Sequence, residues 1–442
     1  MRKSIFILFG LFFVNAYSQE DNVVSLEINA DQGLVYGTLS NMGMDSTFIY
    51  TKVDSIITNG IHNNAFPGAQ VLVAKNSTVV FHESYGYHTY DSNQAVAKDD
   101  IYDLASVTKI LGPLPAIMKL VDEGELNLDL PFSTYWTNWK NIKDKKDITL
   151  REILAHQAGL SPYIVFLNEV IKKNGNLKKR FVRTESNSRF NNQAYDHIFI
   201  KNSFNRKMYR MINRSTVSDE KKYKYSGLTF LIFPKLIEQL TGISYEAYLT
   251  ENFYSPLGAN TLGFRPKTKS FQNKIVPTEL DTMYRRDLTQ GWVHDENASL
   301  LGGVSGNAGL FGTATDLAKI MQMYQNFGFY DGKRFISEST VKEFIRLQYP
   351  ENENRRGLGF DKPLLNNAEL GLLDAYPAPE TSPLSFGHSG FTGTFVWADP
   401  ENQLVYIFLS NRVYPTRENR NLYEMNIREA LQQVFYKAAI PN

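Results

Sequence analysis

The sequence contains no cysteine in its 442 residues. Without a thiol the chain can form no disulfide, no thiolate-held metal site or iron–sulfur cluster, and no cysteine nucleophile. An excess of charge is also lacking, because 47 basic residues face 46 acidic ones, which gives a formal net charge of +1. Nothing in this balance favours a nucleic acid partner. With 43% hydrophobic and 21% charged residues, the composition is that of a globular protein.

Long hydrophobic runs are absent except near the N-terminus. Arg2 and Lys3 precede an apolar run over residues 5–14, and the small residues of Ala16-Tyr17-Ser18 follow it. This order predicts a signal peptide over residues 1–18, with cleavage before Gln19. The apolar run is well short of the roughly 20 residues that a membrane-spanning helix needs. We therefore expect an exported protein, periplasmic or secreted, with no transmembrane anchor.

Helix and strand patterns concentrate at the two ends of the chain. One face of a predicted helix over residues 48–61 carries Ile49, Val53, Ile56 and Ile57. Alternating apolar residues and turn residues predict two hairpins, formed by residues 70–75 with 79–85 and by residues 394–398 with 404–410. One face of a last predicted helix carries Ile427, Leu431, Val434 and Phe435.

These elements predict an α+β fold in which an antiparallel sheet is built from both chain ends and flanked by helices. The middle of the chain shows mainly helical and loop patterns, and we expect it to form an inserted, mostly helical lobe. Residues 19–442 would then form a single domain, with a sheet lobe of about 48–104 and 346–442 and a helical lobe of about 105–345. The cleft between two such lobes is the expected place for a functional site.

A candidate nucleophile lies at the start of the middle segment, in Ser106-Val107-Thr108-Lys109. On a helix, a spacing of three residues places the lysine amine on the same face as the serine hydroxyl, where it could remove the hydroxyl proton. The same spacing occurs at residues 218–221 and 339–342, where a charged run and a helix N-cap at Ser339 explain it. A helix-capping role remains the alternative for Ser106. Its motif is distinguished by the apolar helix predicted after it, which carries Ile110, Leu114, Ile117, Met118 and Val121.

Two later motifs complete an ordered set with the serine and lysine pair at Ser106. They are Tyr225-Ser226-Gly227 and Gly387-His388-Ser389-Gly390-Phe391. A serine with its lysine, then a tyrosine turn, then a glycine-containing strand is the order found in serine β-lactamases and penicillin-binding proteins. The chain resembles the class C-like serine hydrolase branch of this superfamily, including the serine-hydrolase domains fused to cell-wall N-acetylglucosaminidases. The resemblance covers about residues 48–437 and includes the stretches 154–160, 293–298, 306–311 and 409–415.

The resemblance implies a role for each motif residue. Ser106 would attack a carbonyl and form an acyl-enzyme, Lys109 would be its base, and Tyr225 would pass the proton to the leaving group. His388, Gly390 and Phe391 would bind the substrate and its oxyanion, with the backbone N–H groups of Ser106 and Phe391 as the oxyanion donors. The fold expected from the resemblance is that of a β-lactamase or transpeptidase.

Two departures from the family pattern bear on the substrate. Gly227 stands where the tyrosine motif usually ends in asparagine or aspartate, and His388 stands where β-lactamases often have lysine. An ordinary histidine is mostly neutral at about pH 7.5, and we expect His388 to titrate between about pH 5.5 and 7.5. We therefore expect a serine hydrolase that cleaves an amide or ester, with peptidoglycan fragments as the favoured substrates. The alternatives are a non-catalytic cell-wall peptide-binding protein and a weak β-lactamase or carboxylesterase.

The remaining candidate sites have simpler explanations. His294, Asp295 and Glu296 are adjacent in sequence and cannot easily converge on one metal ion, so a structural role is favoured and no metal or other cofactor is expected. Pro113 lacks an N–H and is expected to bend the helix that follows Ser106. A basic cluster is either an anion-binding rim or a solvated loop, and consists of Lys172, Lys173, Lys178, Lys179, Arg180 and Arg183. The oligomeric state expected is a monomer.

Overall fold

A computed structural model describes residues 33–269, 271 and 273–438. The predicted signal peptide lies outside the described residues. The strands in chain order are β1 (Val35–Tyr36), β2 (Gly68–Lys75), β3 (Thr78–Gly86), β4 (Tyr102–Asp103), β5 (Val182–Arg183), β6 (Asn192–Tyr195), β7 (Ile198–Ile200), β8 (Gly263–Phe264), β9 (Glu279–Asp281), β10 (Asp287–Thr289), β11 (Leu310–Gly312), β12 (Phe329–Tyr330), β13 (Lys333–Arg334), β14 (Phe386–Ser389), β15 (Phe395–Asp399) and β16 (Leu404–Ser410).

The α-helices in chain order are α1 (Ser46–His62), α2 (Thr108–Leu111), α3 (Pro113–Asp122), α4 (Leu150–Leu154), α5 (Leu167–Val170), α6 (Phe204–Arg214), α7 (Phe233–Thr241), α8 (Tyr245–Leu249), α9 (Glu296–Leu300), α10 (Ala314–Gln325), α11 (Glu338–Ile345), α12 (Asn421–Glu424) and α13 (Ile427–Lys437). Within the described ranges, no helix combines the length and the hydropathy that a bilayer-spanning segment requires.

The largest sheet is built from both ends of the chain, as predicted. Its strand order is β1-β3-β2-β16-β15-β14. β2 pairs antiparallel with β16, and Leu72 lies opposite Ile407 in that register. The pairs from β3 to β14 are all antiparallel, whereas β1 adds a short parallel strand at one edge, which the sequence pattern did not predict.

The sheet separates two apolar layers because successive strand residues point to opposite faces. On one face, Val71 and Val73 pack with the apolar residues of α1 and α13, which cover that side of the sheet. On the other face, Leu72 and Ala74 belong to the large core that includes the middle of the chain. The predicted terminal helices are thus confirmed, and Ile49, Val53 and Ile57 are the buried predicted positions of α1.

The middle of the chain contains the helices from α2 to α11, long irregular segments and short strands. The short strands form a three-stranded sheet β4-β11-β8, a three-stranded sheet β5-β7-β6 and two small hairpins. Strands of two to four residues leave too short an alternation to be recognised in a sequence, which explains why these were not predicted. β4 of the β4-β11-β8 sheet ends at Asp103, three residues before Ser106.

Candidate active site

Ser106 lies in a single 3₁₀ turn, Ala105–Val107, between β4 and α2. The Nζ atom of Lys109 is 2.9 Å from the Oγ atom of Ser106 and donates to the backbone oxygen of Asn307 at 2.9 Å. Lys109 is 2% exposed. The spacing of three residues therefore brings the amine and the hydroxyl into hydrogen-bond contact in a buried place.

The turn that carries Ser106 is held by its neighbours. Ala105 has a φ of 44°, a left-handed conformation that is rare for a residue with a side chain. Its N–H donates to Oδ1 of Asp103 at 2.9 Å, and Oδ2 of the same carboxylate accepts from the N–H of His294 at 2.6 Å. The buried Asp103 side chain thus links the turn that carries Ser106 to the segment that contains His294.

The helix after Ser106 is interrupted, in line with the bend that we expect at Pro113. α2 ends at Leu111, and Gly112 has φ −103° and ψ −93°, which are not helical. α3 begins at Pro113, whose missing N–H is tolerated at a first helical position. The apolar residues predicted for one continuous helix are therefore shared between two helices.

Aromatic rings surround the amine of Lys109. Its Nζ lies 5.2 Å from the ring centre of Tyr225 and 5.6 Å from that of Phe230. The Tyr225 ring also lies 4.5 Å from the ring of His156 and 6.1 Å from that of His388. The Tyr225 hydroxyl is buried and has no hydrogen-bond partner among the described residues. It is a polar group left available to a molecule that enters the site.

The third motif lies on β14, at the edge of the large sheet. His388 is buried, and its Nδ1 atom lies 2.7 Å from the backbone oxygen of Ser389, so Nδ1 carries the hydrogen and Nε2 is left as an acceptor. Burial lowers the pKa of His388 to about 3; the Asp361 carboxylate opposes this shift and the Arg356 cation adds to it. The prediction that His388 titrates between about pH 5.5 and 7.5 is therefore wrong. The sequence alone did not reveal how deeply this ring is buried.

Gly390 occupies a position without room for a side chain. A Cβ atom there would lie 2.0 Å from Oγ1 of Thr394 and 2.7 Å from the backbone oxygen of Leu104. This close approach brings the end of β14 against the turn that carries Ser106. Phe391 follows and is 48% exposed, and its ring stacks on His294 at 5.7 Å and lies 4.4 Å from the Arg412 guanidinium.

Ser106, Tyr225 and His388 share one cavity of about 360 Å³ with Gly390 and Phe391. All five are residues that the sequence motifs predicted. The cavity also contains side chains that no motif indicated, namely Tyr223, Arg355, Arg356, Asp361, Tyr376 and Tyr423. They come mainly from the long loops between α11 and β14, where the sequence shows no pattern that separates a site residue from a surface residue.

The additional residues form a charged group in the cavity wall. Arg356 is buried and pairs with Asp361, and Arg355 contacts the same carboxylate at 3.2 Å. Burial alone would raise the pKa of Asp361, but Arg356 and Arg355 outweigh it and hold this pKa well below its usual range. The Tyr376 hydroxyl also donates to Asp361 at 3.1 Å. With two guanidinium groups against one carboxylate, this wall carries an excess of positive charge, and Arg355 is its partly exposed member, with 20% of its side chain accessible.

The other two serine and lysine pairs do not make the same contact. Lys221 pairs with Glu152 at 2.9 Å, and Lys342 pairs with Glu338 at 2.6 Å. The N-cap of α11 is Ser337, not Ser339, so that expectation was wrong by two residues. Ser337 is the serine whose side chain accepts from the third N–H beyond it. The spacing of three residues is thus not sufficient by itself.

The adjacent residues His294, Asp295 and Glu296 have separate contacts. His294 Nε2 lies 2.8 Å from the Glu279 carboxylate, while Asp295 caps α9 by accepting from the N–H of Ala298. Glu296 pairs with Arg417 at 2.8 Å. No group of three potential metal ligands converges anywhere in the residues that the structure describes.

Comparisons with known proteins identify the family. The model of the family described as Beta-lactamase matches residues 53–430. A protein of Salmonella heidelberg (strain SL476) named "Putative D-alanyl-D-alanine carboxypeptidase" is 29% identical over 401 residues, which cover 84% of each chain. The solved structure of EstCE1, "a hydrolase with promiscuous acyltransferase activity", aligns with a TM-score of 0.63 at 17% identity, over 87% of this chain and 98% of that one. A class C β-lactamase from Rhodobacter sphaeroides aligns with a TM-score of 0.58 at 14% identity, over 87% of this chain and 99% of that one.

At these identities the two solved structures show a shared fold and nothing finer. The family model, in contrast, matches most of the chain, from within α1 to within α13. The chain therefore belongs to the β-lactamase family, within the superfamily of serine β-lactamases and penicillin-binding proteins, and it is a serine hydrolase.

Proposed function

We propose that this hydrolase cleaves an amide or ester through an acyl-enzyme on Ser106, and that its substrates are peptidoglycan-derived peptides that end in a carboxylate. The observation that carries the proposal is the 2.9 Å contact between Lys109 Nζ and Ser106 Oγ at a cavity that also holds Tyr225. A nucleophile within hydrogen-bond reach of its base, in a partly desolvated place, is the arrangement that acyl transfer needs.

The residues suggest an order of proton transfers. Neutral Lys109 takes the hydroxyl proton as Ser106 Oγ bonds to the substrate carbonyl carbon, while another N–H of the amine donates to the Asn307 backbone oxygen. The carbonyl oxygen becomes an anion, which the N–H groups of Ser106 and Phe391 bind. The bond to the leaving amine or alcohol then breaks as Tyr225 delivers a proton to it, and Tyr225 is reprotonated by the proton that Lys109 had taken. Water next attacks the acyl carbon and gives a proton to Lys109; the bond to Ser106 Oγ breaks, Lys109 returns that proton to Ser106, and the free acid leaves.

Arg355 supports a substrate with a carboxylate. In the third motif, His388 is neutral because burial lowers its pKa to about 3, so this position supplies no cation at neutral pH. Arg355 lines the same cavity, keeps part of its side chain accessible, and belongs to a wall with more positive than negative groups. Guanidinium groups bind carboxylates through two parallel hydrogen bonds. The relative named as a D-alanyl-D-alanine carboxypeptidase is consistent with a peptide that ends in a carboxylate.

A location outside the cytoplasmic membrane would bring the enzyme to such peptides. The basic residues, apolar run and small residues at the N-terminus support removal of residues 1–18 and export to the periplasm or medium. We further propose that residues 19–442 act as a single catalytic domain, with the sheet lobe and helical lobe that the sequence predicts.

Two peptides that differ at one group test the proposed substrate. An N-acylated peptide ending in D-alanyl-D-alanine should release D-alanine, whereas the same peptide with a C-terminal amide should react at least about tenfold more slowly in kcat/KM, since one charge-assisted contact is worth about 1.5–3 kcal/mol. Arg355→Ala should raise KM for the acid and leave the amide unchanged, and Arg355→Lys should restore part of the difference. Equal hydrolysis of acid and amide would contradict the carboxylate requirement.

A further inference from the structure

A second cavity, of about 700 Å³, lies away from the candidate active site and shares no lining residue with it. We call it the cationic groove. It is lined by Glu169, Lys178, Arg180, Phe181, Lys201, Ser203, Phe204, Arg206, Lys207, Arg210, Met211 and Arg214. Seven of these side chains are basic and one is acidic. The chain as a whole is nearly neutral, so this concentration of one sign is local.

α6 supplies one wall of the cationic groove. Its buried face consists of Phe204, Met208 and Ile212, which leaves the intervening positions to solvent. Arg206, Arg210 and Arg214 repeat every fourth residue and are exposed, so they form a row about 12 Å long at the helical rise of about 1.5 Å per residue. Like charges in such a row repel each other and destabilise an isolated helix.

The facing wall comes from the loop that precedes β5. Lys201 donates its backbone N–H to the Phe181 oxygen at 2.9 Å, which joins this loop to the start of α6. The Phe181 ring packs edge-on against Phe204 at 5.2 Å. The Arg180 guanidinium lies 5.3 Å from the Phe181 ring and the Lys207 amine lies 4.9 Å from it. Cations thus flank an apolar floor.

Acidic residues do not neutralise most of these cations. Glu169 pairs with Lys207. Within the described part of the chain, no carboxylate oxygen lies within 4.0 Å of the side-chain nitrogens of the other six, which are Lys178, Arg180, Lys201, Arg206, Arg210 and Arg214. The repulsion among these six side chains around one concave surface is therefore not offset by the protein itself.

The shape of the groove distinguishes it from a solvated charge run. Four members of the basic cluster seen in the sequence are exposed and do not line it, namely Lys172, Lys173, Lys179 and Arg183. The cations that do line it come from two segments brought together by the fold. Its volume is in the range of small-molecule sites, roughly 300–1,000 Å³. Four of the seven are arginines, whose planar forks match phosphate oxygens.

We propose that the cationic groove binds a compound that carries two or more phosphate groups, either free in solution or as the headgroup of a lipid. The row of arginines on α6 is long enough to contact two phosphate groups of one ligand at the same time. The ring of Phe181 offers an apolar surface to the part of the ligand that joins those groups. This binding is separate from hydrolysis at Ser106.

Binding of tripolyphosphate and of lipid vesicles to the full chain tests the proposal. Calorimetry would be carried out with tripolyphosphate and with citrate, and co-sedimentation with vesicles of phosphatidylcholine that contain cardiolipin, whose headgroup carries two phosphates, and with vesicles of phosphatidylcholine alone. Removing one cation from a phosphate contact is expected to weaken binding about fivefold, so Arg206→Ala/Arg210→Ala/Arg214→Ala should weaken it about 100-fold. Binding should also fall steeply as salt is added.

A matched variant controls for net charge. Lys172→Ala/Lys173→Ala/Lys179→Ala removes the same three charges beside the groove and should leave binding within about threefold, and both triple variants should keep wild-type hydrolysis of p-nitrophenyl acetate. Binding of tripolyphosphate alone would identify a soluble compound, and binding of cardiolipin vesicles alone would identify a lipid headgroup. The proposal is overturned if neither tripolyphosphate nor the lipid vesicles bind, or if citrate binds as tightly as tripolyphosphate. It is also overturned if both triple variants lose equal affinity, or if a single-stranded oligonucleotide binds more tightly than either probe.

Discussion

Gly390→Ala tests whether the close approach between the end of β14 and the turn of Ser106 is required for hydrolysis. The added Cβ would lie 2.0 Å from Oγ1 of Thr394 and 2.7 Å from the Leu104 oxygen. Neither atom moves easily. Thr394 is fully buried and donates to the Leu104 oxygen at 3.1 Å, and that oxygen belongs to the backbone two residues before Ser106.

The size of the expected effect follows from these two distances. Since an ordinary carbon contact is close to 3.5 Å, the strand end or the turn must move by on the order of 1 Å. A displacement of that size at reacting groups costs about 100-fold in rate. The free energy of unfolding should fall by only about 1–3 kcal/mol, as is usual when one extra carbon is forced into a packed place. The variant should therefore remain folded and lose about 100-fold in kcat/KM.

The assay is hydrolysis of p-nitrophenyl acetate, with urea unfolding as the measure of stability. Gly371→Ala is the control, because a Cβ at Gly371 would meet nothing within 4 Å. The control should match wild type in both measurements. A folded Gly390→Ala protein with kcat/KM within about threefold of wild type would refute the view that this contact positions the reacting groups.

Three further predictions concern His388 and Gly227. Nitrocefin should be cleaved with lower catalytic efficiency than p-nitrophenyl acetate, because His388 is neutral and Gly227 has no side chain to contact a β-lactam amide; the reverse order would count against this account. Gly227→Asn should fold normally, since its Cβ would meet only the Asn307 Cβ at 3.9 Å, and should raise the nitrocefin rate relative to the ester rate; an unfolded variant or an unchanged ratio would argue otherwise. Because burial lowers the pKa of His388 to about 3, the unfolded chain binds this proton more readily, so stability is lost as the pH falls below about 6.5, by about 2 kcal/mol at pH 5. His388→Gln should remove that part of the acid destabilisation in urea titrations at pH 7.5 and pH 5, and an identical loss in both proteins would show that His388 does not cause it.

Local patterns were sufficient to predict the ends of the chain. The hairpin of β2 and β3 and that of β15 and β16 have enough alternating residues for a period of two to be recognised, and turn residues separate them. The order of the three motifs similarly predicted which residues would meet, since Ser106, Tyr225 and His388 do share one cavity. These predictions succeeded because each depends on neighbours in sequence or on a family order.

The rest depends on contacts between distant segments. Arg355 and Asp361 contribute to the cavity through loops whose sequence resembles any polar surface loop. The neutral state of His388 follows from burial by residues far away in the chain. Likewise, the row of arginines on α6 becomes part of a groove only because the loop before β5 folds opposite it. No periodicity or short motif carries such information.

Labelling by a fluorophosphonate probe, followed by peptide mapping, tests the central claim most directly, because the probe reacts only with an activated serine. We expect one label, on Ser106, which is lost in Ser106→Ala and in Lys109→Ala while both variants remain folded. Ser218→Ala and Ser339→Ala should label as the wild type does. A label on Ser218 or Ser339, or no label on folded wild-type protein, would contradict the assignment of Ser106 as the nucleophile.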